Sequence, residues 1–280
     1  MSRRTTVQAL AGSCHPEPVA AVTAISTALA VAAGLGWRSL VVGAAVFTGQ
    51  LSIGWCNDYL DRDRDRAALR PDKPVALGLV SSAAVGRSAL VSLLMTVPLS
   101  LALGWRAALA HALLVGGGWF YNLVAKPTAL SVVPYLVAFG ALPSIVTLAA
   151  SPTTTASIAP GWATAGGALL GASAHFTNTL PDLADDERAG VRGLPHRLGR
   201  RGSLVAAVVV LAAACLVLAF GPGGGLGVTA VVLLALAGAA IVGIVIAAGR
   251  ADGTRDAFRL TVLTAVLAVA LLVIRGNQLT

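Results

Sequence analysis

Apolar residues run through this chain in long unbroken stretches, set apart by short turns and by two polar segments. The stretches fall at about 18–36, 39–58, 82–103, 106–122, 128–150, 160–182, 203–220, 226–248 and 256–275. Each comes near the roughly 20 residues that a helix needs to cross a bilayer. Within lipid only helices and closed barrels satisfy their own backbone. The runs are continuous and do not alternate, which favours helices. The pattern therefore predicts an all-α fold, a polytopic membrane helical bundle of about nine transmembrane helices forming one domain over residues 1–280. The break at "LGWR" between the third and fourth stretches is the tightest, and closing it gives the alternative count of eight.

Composition agrees with that reading. The chain is 56% hydrophobic and 11% charged, with a mean hydropathy of +0.82, whereas a soluble domain is about 25% charged. The net charge of +8 would suit a nucleic-acid partner, but the positive-inside rule accounts for it better. With nine spans, 17 of the 20 basic residues fall on one side, and only Arg38, Arg106 and Arg275 on the other. The crowded side is expected to be cytoplasmic. It holds the N-terminus and the connections after the second, fourth, sixth and eighth spans. No nucleic acid is expected as a partner. Cys14, Cys56 and Cys215 are scattered and odd in number, so they read as small buried hydrophobes and not as a disulfide framework. The N-terminal "MSRRTTVQALAGSC" lacks the apolar core of a cleaved signal.

The polar residues gather in two cytoplasmic loops, about 57–82 and 178–203. The first opens with "NDYLDRDRD" and spaces Asn57, Asp61 and Asp65 four apart. The second contains "NTLPDLADD" and spaces Asn178, Asp182 and Asp186 in the same way, 121 residues later. Both run on into basic, proline-containing segments, "RPDKPVALG" and "VRGLPHRLG". Residues at i, i+4 and i+8 share a helical face, so each set is expected to form a ladder, with Asp58 beside the first and Asp185 beside the second. Like charges at this spacing oppose one another. The negative end of a helix opposes them further, and acids at a membrane boundary are costly unless paired. "DRDRD" alone reads as a solvated charge run; two matched clusters read as a site. A hard divalent cation such as Mg²⁺ would reverse the penalty, taking carboxylate oxygens together with substrate phosphates. Asp63, Asp72 and Glu187 lie off the ladders.

These residues resemble the UbiA superfamily of intramembrane prenyltransferases. Its first motif, N-D-x-x-D-x-x-x-D, is met by Asn57, Asp58, Asp61 and Asp65, and its second, D-x-x-x-D, by Asp182 and Asp186 with Asp185 between them. At the end of the fourth span the family pattern has a tyrosine and a lysine. "YNLVAK" supplies Tyr121 and Lys126, with four residues between them where three are common. The resemblance implies two or more Mg²⁺ ions held by Asn57, Asp61, Asp65, Asn178, Asp182 and Asp186. It implies a polyprenyl diphosphate donor whose diphosphate leaves from an allylic cation, and an aromatic or lipid-like acceptor for that cation. It places Asp58, Asp185, Tyr121 and Lys126 at the chemistry. Arg64, Arg70, Lys73, Lys126 and Arg192 are then candidates for the diphosphate clamp. Trp55, Tyr59, Trp119, Phe120, Tyr135 and Phe176 are candidate π-faces for the cation, although packing is the commoner role of such residues.

A terpene cyclase of the same superfamily, acting on farnesyl or geranylgeranyl diphosphate, would use the same ionisation step and is the alternative. An ion-coupled carrier fits less well. Carrier sites lie near the bilayer midplane, whereas these acids sit at one boundary.

Overall fold

The computed structural model describes residues 3–71, 73–150, 157–188, 190–248, 250 and 254–279. Among them it is all-helical, with no strand. A short helix α1 (Arg3–Gly12) precedes α2 (Pro16–Ala32), α3 (Arg38–Ala67), α4 (Ser82–Leu101), α5 (Trp105–Phe120), α6 (Val133–Ala150) and α7 (Gly161–Thr179). Then come a six-residue helix α8 (Leu183–Arg188), α9 (Leu194–Phe220), α10 (Val228–Ala248) and α11 (Thr254–Ile274). Every predicted apolar stretch coincides with a helix. Seven of these helices are long and apolar enough to cross a membrane: α3, α4, α5 with the turn that extends it, α6, α9, α10 and α11. Two fall outside that group. Helix α2 has only 17 residues. Helix α7 is rich in Gly, Ser, Thr and Ala, and it packs against both α6 and α9.

Neighbours in sequence are neighbours in space from α2 to α7, and α7 passes to α9. Helices α10 and α11 pack as a pair, and α11 returns to α2 to close the bundle. The central core is aliphatic and fine-grained, built on Leu29, Val42, Val46, Leu103, Ile145, Val146, Leu211 and Leu218. The outside is equally apolar: Leu94, Leu109, Val209 and Val245 are each more than half exposed. A soluble surface does not carry so much unbroken hydrocarbon, and a lipid-facing one does.

Two basic residues on the sparsely charged side have a structural use. Arg38 donates from Nε to the carbonyl of Ala149 (2.9 Å) and from Nη2 to that of Leu103 (3.0 Å). Buried Arg275 donates to the carbonyl of Ala219 (3.3 Å). These carbonyls lie at or just beyond the C-terminal ends of α6, α4 and α9, where backbone acceptors lack intrahelical donors and the helix dipole is negative. Their guanidinium groups are thus committed to helix ends. Because Arg38 joins two helix ends by charge-assisted bonds, Arg38→Ala should cost about 2–3 kcal/mol. The check is a lowered midpoint of thermal unfolding in detergent.

Candidate active site

Helix α3 has 30 residues, about 45 Å at 1.5 Å per residue. That exceeds the roughly 30 Å hydrocarbon core. Its last turns therefore run beyond the apolar belt and carry the first motif with them. The sequence placed residues 57–82 in a loop; the helix in fact continues to Ala67, and of the described residues beyond it only 68–71 and 73–81 are non-helical. The reason is local pairing. Arg64 bonds Asp61 at i,i+3 (2.5 Å), and Arg66 reaches Asp63 (3.5 Å). Arginines in the last turn also suit the negative end of the dipole. The helix closes with Leu69 in the left-handed region (φ 51°), while the Arg70 amide bonds Asp65 O and the Leu69 amide bonds Arg66 O. This is a Schellman cap without the usual glycine, and it swings Arg70 back across the helix end.

The second motif departs from the predicted ladder. Asn178 lies in the last turn of α7, Asp182 in a turn and Asp186 on α8. Pro181 has no N–H to extend the helical hydrogen-bond ladder, so the helix ends just before it, with Leu180 still in the helical region. Asp186 is still brought round, its amide bonding Asp182 O (2.9 Å). The side chain of Asp185, like the whole of Asp72, lies outside the described residues.

Basic side chains knit the two motifs together. Arg64 touches both Asp61 and Asp186 (3.8 Å). Arg70 binds Asp182 (3.0 Å). Lys126, from the other side of the site, binds Asp61 (2.5 Å). Asn57 donates to Asn122 Oδ1 (3.1 Å), and Asn122 Nδ2 in turn donates to the carbonyl of Ile53 (3.0 Å). Lys73 lies instead against Asp58 (2.8 Å), and Arg192 is exposed without joining the cluster. Among the described residues no three Asp, Glu, His or Cys side chains form a ready-made metal cage. The donor set remains oxygen-only and drawn from two facing motifs. That suits an ion that uses one or two carboxylates and completes its shell with phosphate and water.

The tyrosine–lysine spacing has a geometric explanation. Residues Tyr121–Ala125 form a π-turn, closed by the Lys126 amide on Tyr121 O (2.9 Å). One extra residue is absorbed in an i→i+5 turn. Lys126 therefore sits one turn above Tyr121 and reaches Asp61, despite the longer spacing.

Beside Tyr121 lies an aromatic group that sequence reading found only in part. Tyr135 meets Tyr121 edge-on (5.1 Å between centroids), and His175 packs on both rings (5.7 and 4.9 Å). Phe139 stacks on Tyr135 and also lines an apolar hollow of about 40 Å³ with Val22, Leu142 and Leu272. Phe176 touches His175. Of the other aromatic candidates, Trp55 bonds the Leu10 carbonyl, Trp119 bonds Ser52, Tyr59 lies under Arg62, and Phe120 faces outward. His196, Asn122, His175 and Phe139 were not anticipated. His175 stands three residues before Asn178, on the same helical face. His196 lies within the quoted basic segment, its Nε2 3.6 Å from Asp186. All three cysteines are free and buried. At Cys14, between α1 and α2, burial pushes the thiol pKa upward, which leaves it a neutral thiol bonded to Ala11 O.

Long apolar helices arranged around a polar cluster at one end define an integral membrane protein with a boundary site. The model of the UbiA prenyltransferase family matches residues 19–263, and the chain belongs to that family. No curated protein matches. Among solved structures, the apo form of a UbiA homologue from Aeropyrum pernix K1 superposes with a TM-score of 0.70 at 23% identity, over 90% of this chain and 97% of that one. A digeranylgeranylglyceryl phosphate synthase gives 0.69 at 14% identity, over 98% and 99%. A UbiA homologue from Archaeoglobus fulgidus, bound to DMAPP and Mg²⁺, gives 0.67 at 17%, over 95% and 98%. These likenesses fix the fold.

The π-turn and the left-handed cap each have a measurable consequence. Deleting Leu123 should convert the π-turn to an ordinary helical turn and leave thermal stability within about 2 °C, whereas inserting alanine after Leu123 should detach Lys126 and lower the midpoint by about 4 °C or more. Leu69→Gly should stabilise by about 1 kcal/mol, because glycine removes the left-handed penalty, seen as a raised unfolding midpoint.

Proposed function

We propose that the protein ionises a polyprenyl diphosphate with the help of Mg²⁺ and transfers the prenyl group to an aromatic or lipid-like acceptor. The observation that carries this reading is Arg64, which bridges Asp61 of the first motif and Asp186 of the second. The two acid sets face one another across a cation-filled gap. Asn57, Asp61, Asp65, Asn178, Asp182 and Asp186 would hold the metal. Bound Mg²⁺ supplies electrophilic stabilisation of the leaving diphosphate. The A. fulgidus homologues bound to DMAPP or GPP with Mg²⁺ support the choice of donor and ion.

The chain's own residues do the rest. Arg64, Arg70 and Lys126, now held by carboxylates, would turn their donors to diphosphate oxygens once those carboxylates have another partner. The allylic C–O bond breaks with its electron pair leaving on the diphosphate. Tyr121 and Tyr135 line the space beside the acids and present π-density to the cation. Phe139 continues from these rings to the apolar side chains of Val22, Leu142 and Leu272, a water-poor side on which the isoprenoid chain would lie. The acceptor then bonds to the allylic carbon and releases a proton. The charge asymmetry supports a cytoplasmic N-terminus and cytoplasmic motifs.

Purified protein with Mg²⁺, prenyl diphosphates of graded length and a panel of phenolic and lipid alcohols should release diphosphate and form prenylated product. Asp61→Asn and Asp182→Asn should each lower that rate by about 100-fold or more in protein that still folds. Undiminished release would remove the acid motifs from the reaction. Terpene hydrocarbon or alcohol formed without any acceptor would reassign the same site to cyclisation.

A further inference from the structure

Asp58 belongs to the first acid motif by sequence, yet its carboxylate turns away from the second. Its Oδ1 accepts from Lys73 Nζ at 2.8 Å and lies 2.9 Å from His15 Nε2; Lys73 and His15 are themselves 3.0 Å apart. His15 Nε2 thus stands between an obligate donor and an obligate acceptor, and either tautomer satisfies one of them. Asp58 is 2% exposed and Lys73 9%. A pair so far desolvated holds only while every member is present, since removing one strands a buried charge.

The three residues come from three segments. Asp58 is on α3, His15 is the corner between α1 and α2, and Lys73 lies in the turn-rich stretch after α3. Apolar contacts join the same segments. Ala9 packs with Val75, Val80 and Val85, and Trp55 bonds the Leu10 carbonyl at 2.8 Å. At Gly54 the Cys14 carbonyl lies where a Cβ would be, so only glycine lets the corner seat on α3. Helix α1, residues 73–80 and the end of α3 therefore form one body with the triad at its polar centre. Arg70, three residues before Lys73, is held at the edge of that body on Asp182.

We infer that His15, Asp58 and Lys73 form a positioning clasp that holds Arg70 in the diphosphate site, and that Asp58 lies outside the metal-ligand set. The inference rests on the prenyl-transfer reading for its kinetic consequence. Its structural consequence stands apart from that reading. In the full-length protein, hydrogen exchange of segments 6–14 and 68–80 should quicken about tenfold in His15→Ala and in Lys73→Met, while the rest of the bundle stays protected. Asp58→Asn and His15→Ala should raise KM for geranylgeranyl diphosphate about tenfold with kcat within about twofold, and the Mg²⁺ midpoint should not move. His15→Gln, which keeps a polar group at the corner, should recover most of the lost affinity. Asp61→Asn, by contrast, should lower kcat and raise the Mg²⁺ requirement. Unchanged exchange in both clasp variants overturns the inference. So does a shift of the Mg²⁺ midpoint in Asp58→Asn as large as that in Asp61→Asn. A wild-type protein inactive on every prenyl diphosphate would refute the transfer reading and leave the exchange result to decide the clasp.

Discussion

The structure turns on one electrostatic constraint: carboxylates must be held at the end of a membrane helix, where both the dipole and the low dielectric oppose them. Among the described residues five carboxylates lie in this region: Asp58, Asp61, Asp65, Asp182 and Asp186. Four cations, Arg64, Arg70, Lys73 and Lys126, form ion pairs with four of them, Asp58, Asp61, Asp182 and Asp186. The near balance explains several features that otherwise look unrelated. Helix α3 continues past the membrane because its arginines pair with its acids. The chain reverses at Leu69 so that Arg70 can serve the other motif. The end of α5 adopts a π-turn that sets Lys126 against Asp61.

The membrane part of the fold was legible because lipid imposes a simple rule: a helix facing hydrocarbon shows itself as a run of apolar residues. Every predicted stretch met a helix for that reason. The rule fades where a helix faces protein on most sides. Gly161–Thr179 carries Gly166, Gly167, Gly171, Ser173 and His175 on buried positions, and this lowers its apolarity without removing it from the bundle. The rule is silent at boundaries. Hydropathy ends α3 near Asp58, whereas charge pairing carries it nine residues further.

The site was legible in its acids and much less so in their partners. A carboxylate near lipid is conspicuous because it breaks several local preferences together. An asparagine such as Asn122, or a histidine such as His175, breaks none, and its role depends on which helices meet. The basic residues were legible as a class and not as individuals. Arg64, Arg70 and Lys126 join the acids, whereas Lys73 turns to Asp58 and Arg192 stays outside. What sorted them was backbone geometry invisible to spacing rules: the left-handed Leu69, the break at Pro181 and the extra residue in the π-turn.

That sorting bears on how the site would work. Arg64 bridges two carboxylates across the gap that, on the proposed reading, a metal–diphosphate pair would fill. Such a pair enters as a nearly compensated unit, its positive ion matching the acids and its negative oxygens matching the displaced arginine and lysine. Each charged group then exchanges one partner for another, and none passes through an unpaired buried state, the costly condition in a low dielectric. A diphosphate without its metal would face the carboxylates directly, and a metal without diphosphate would press against Arg64 and Lys126. On the proposed reading, the Arg64 bridge would favour donor and ion arriving together, because charge is paired across the two motifs.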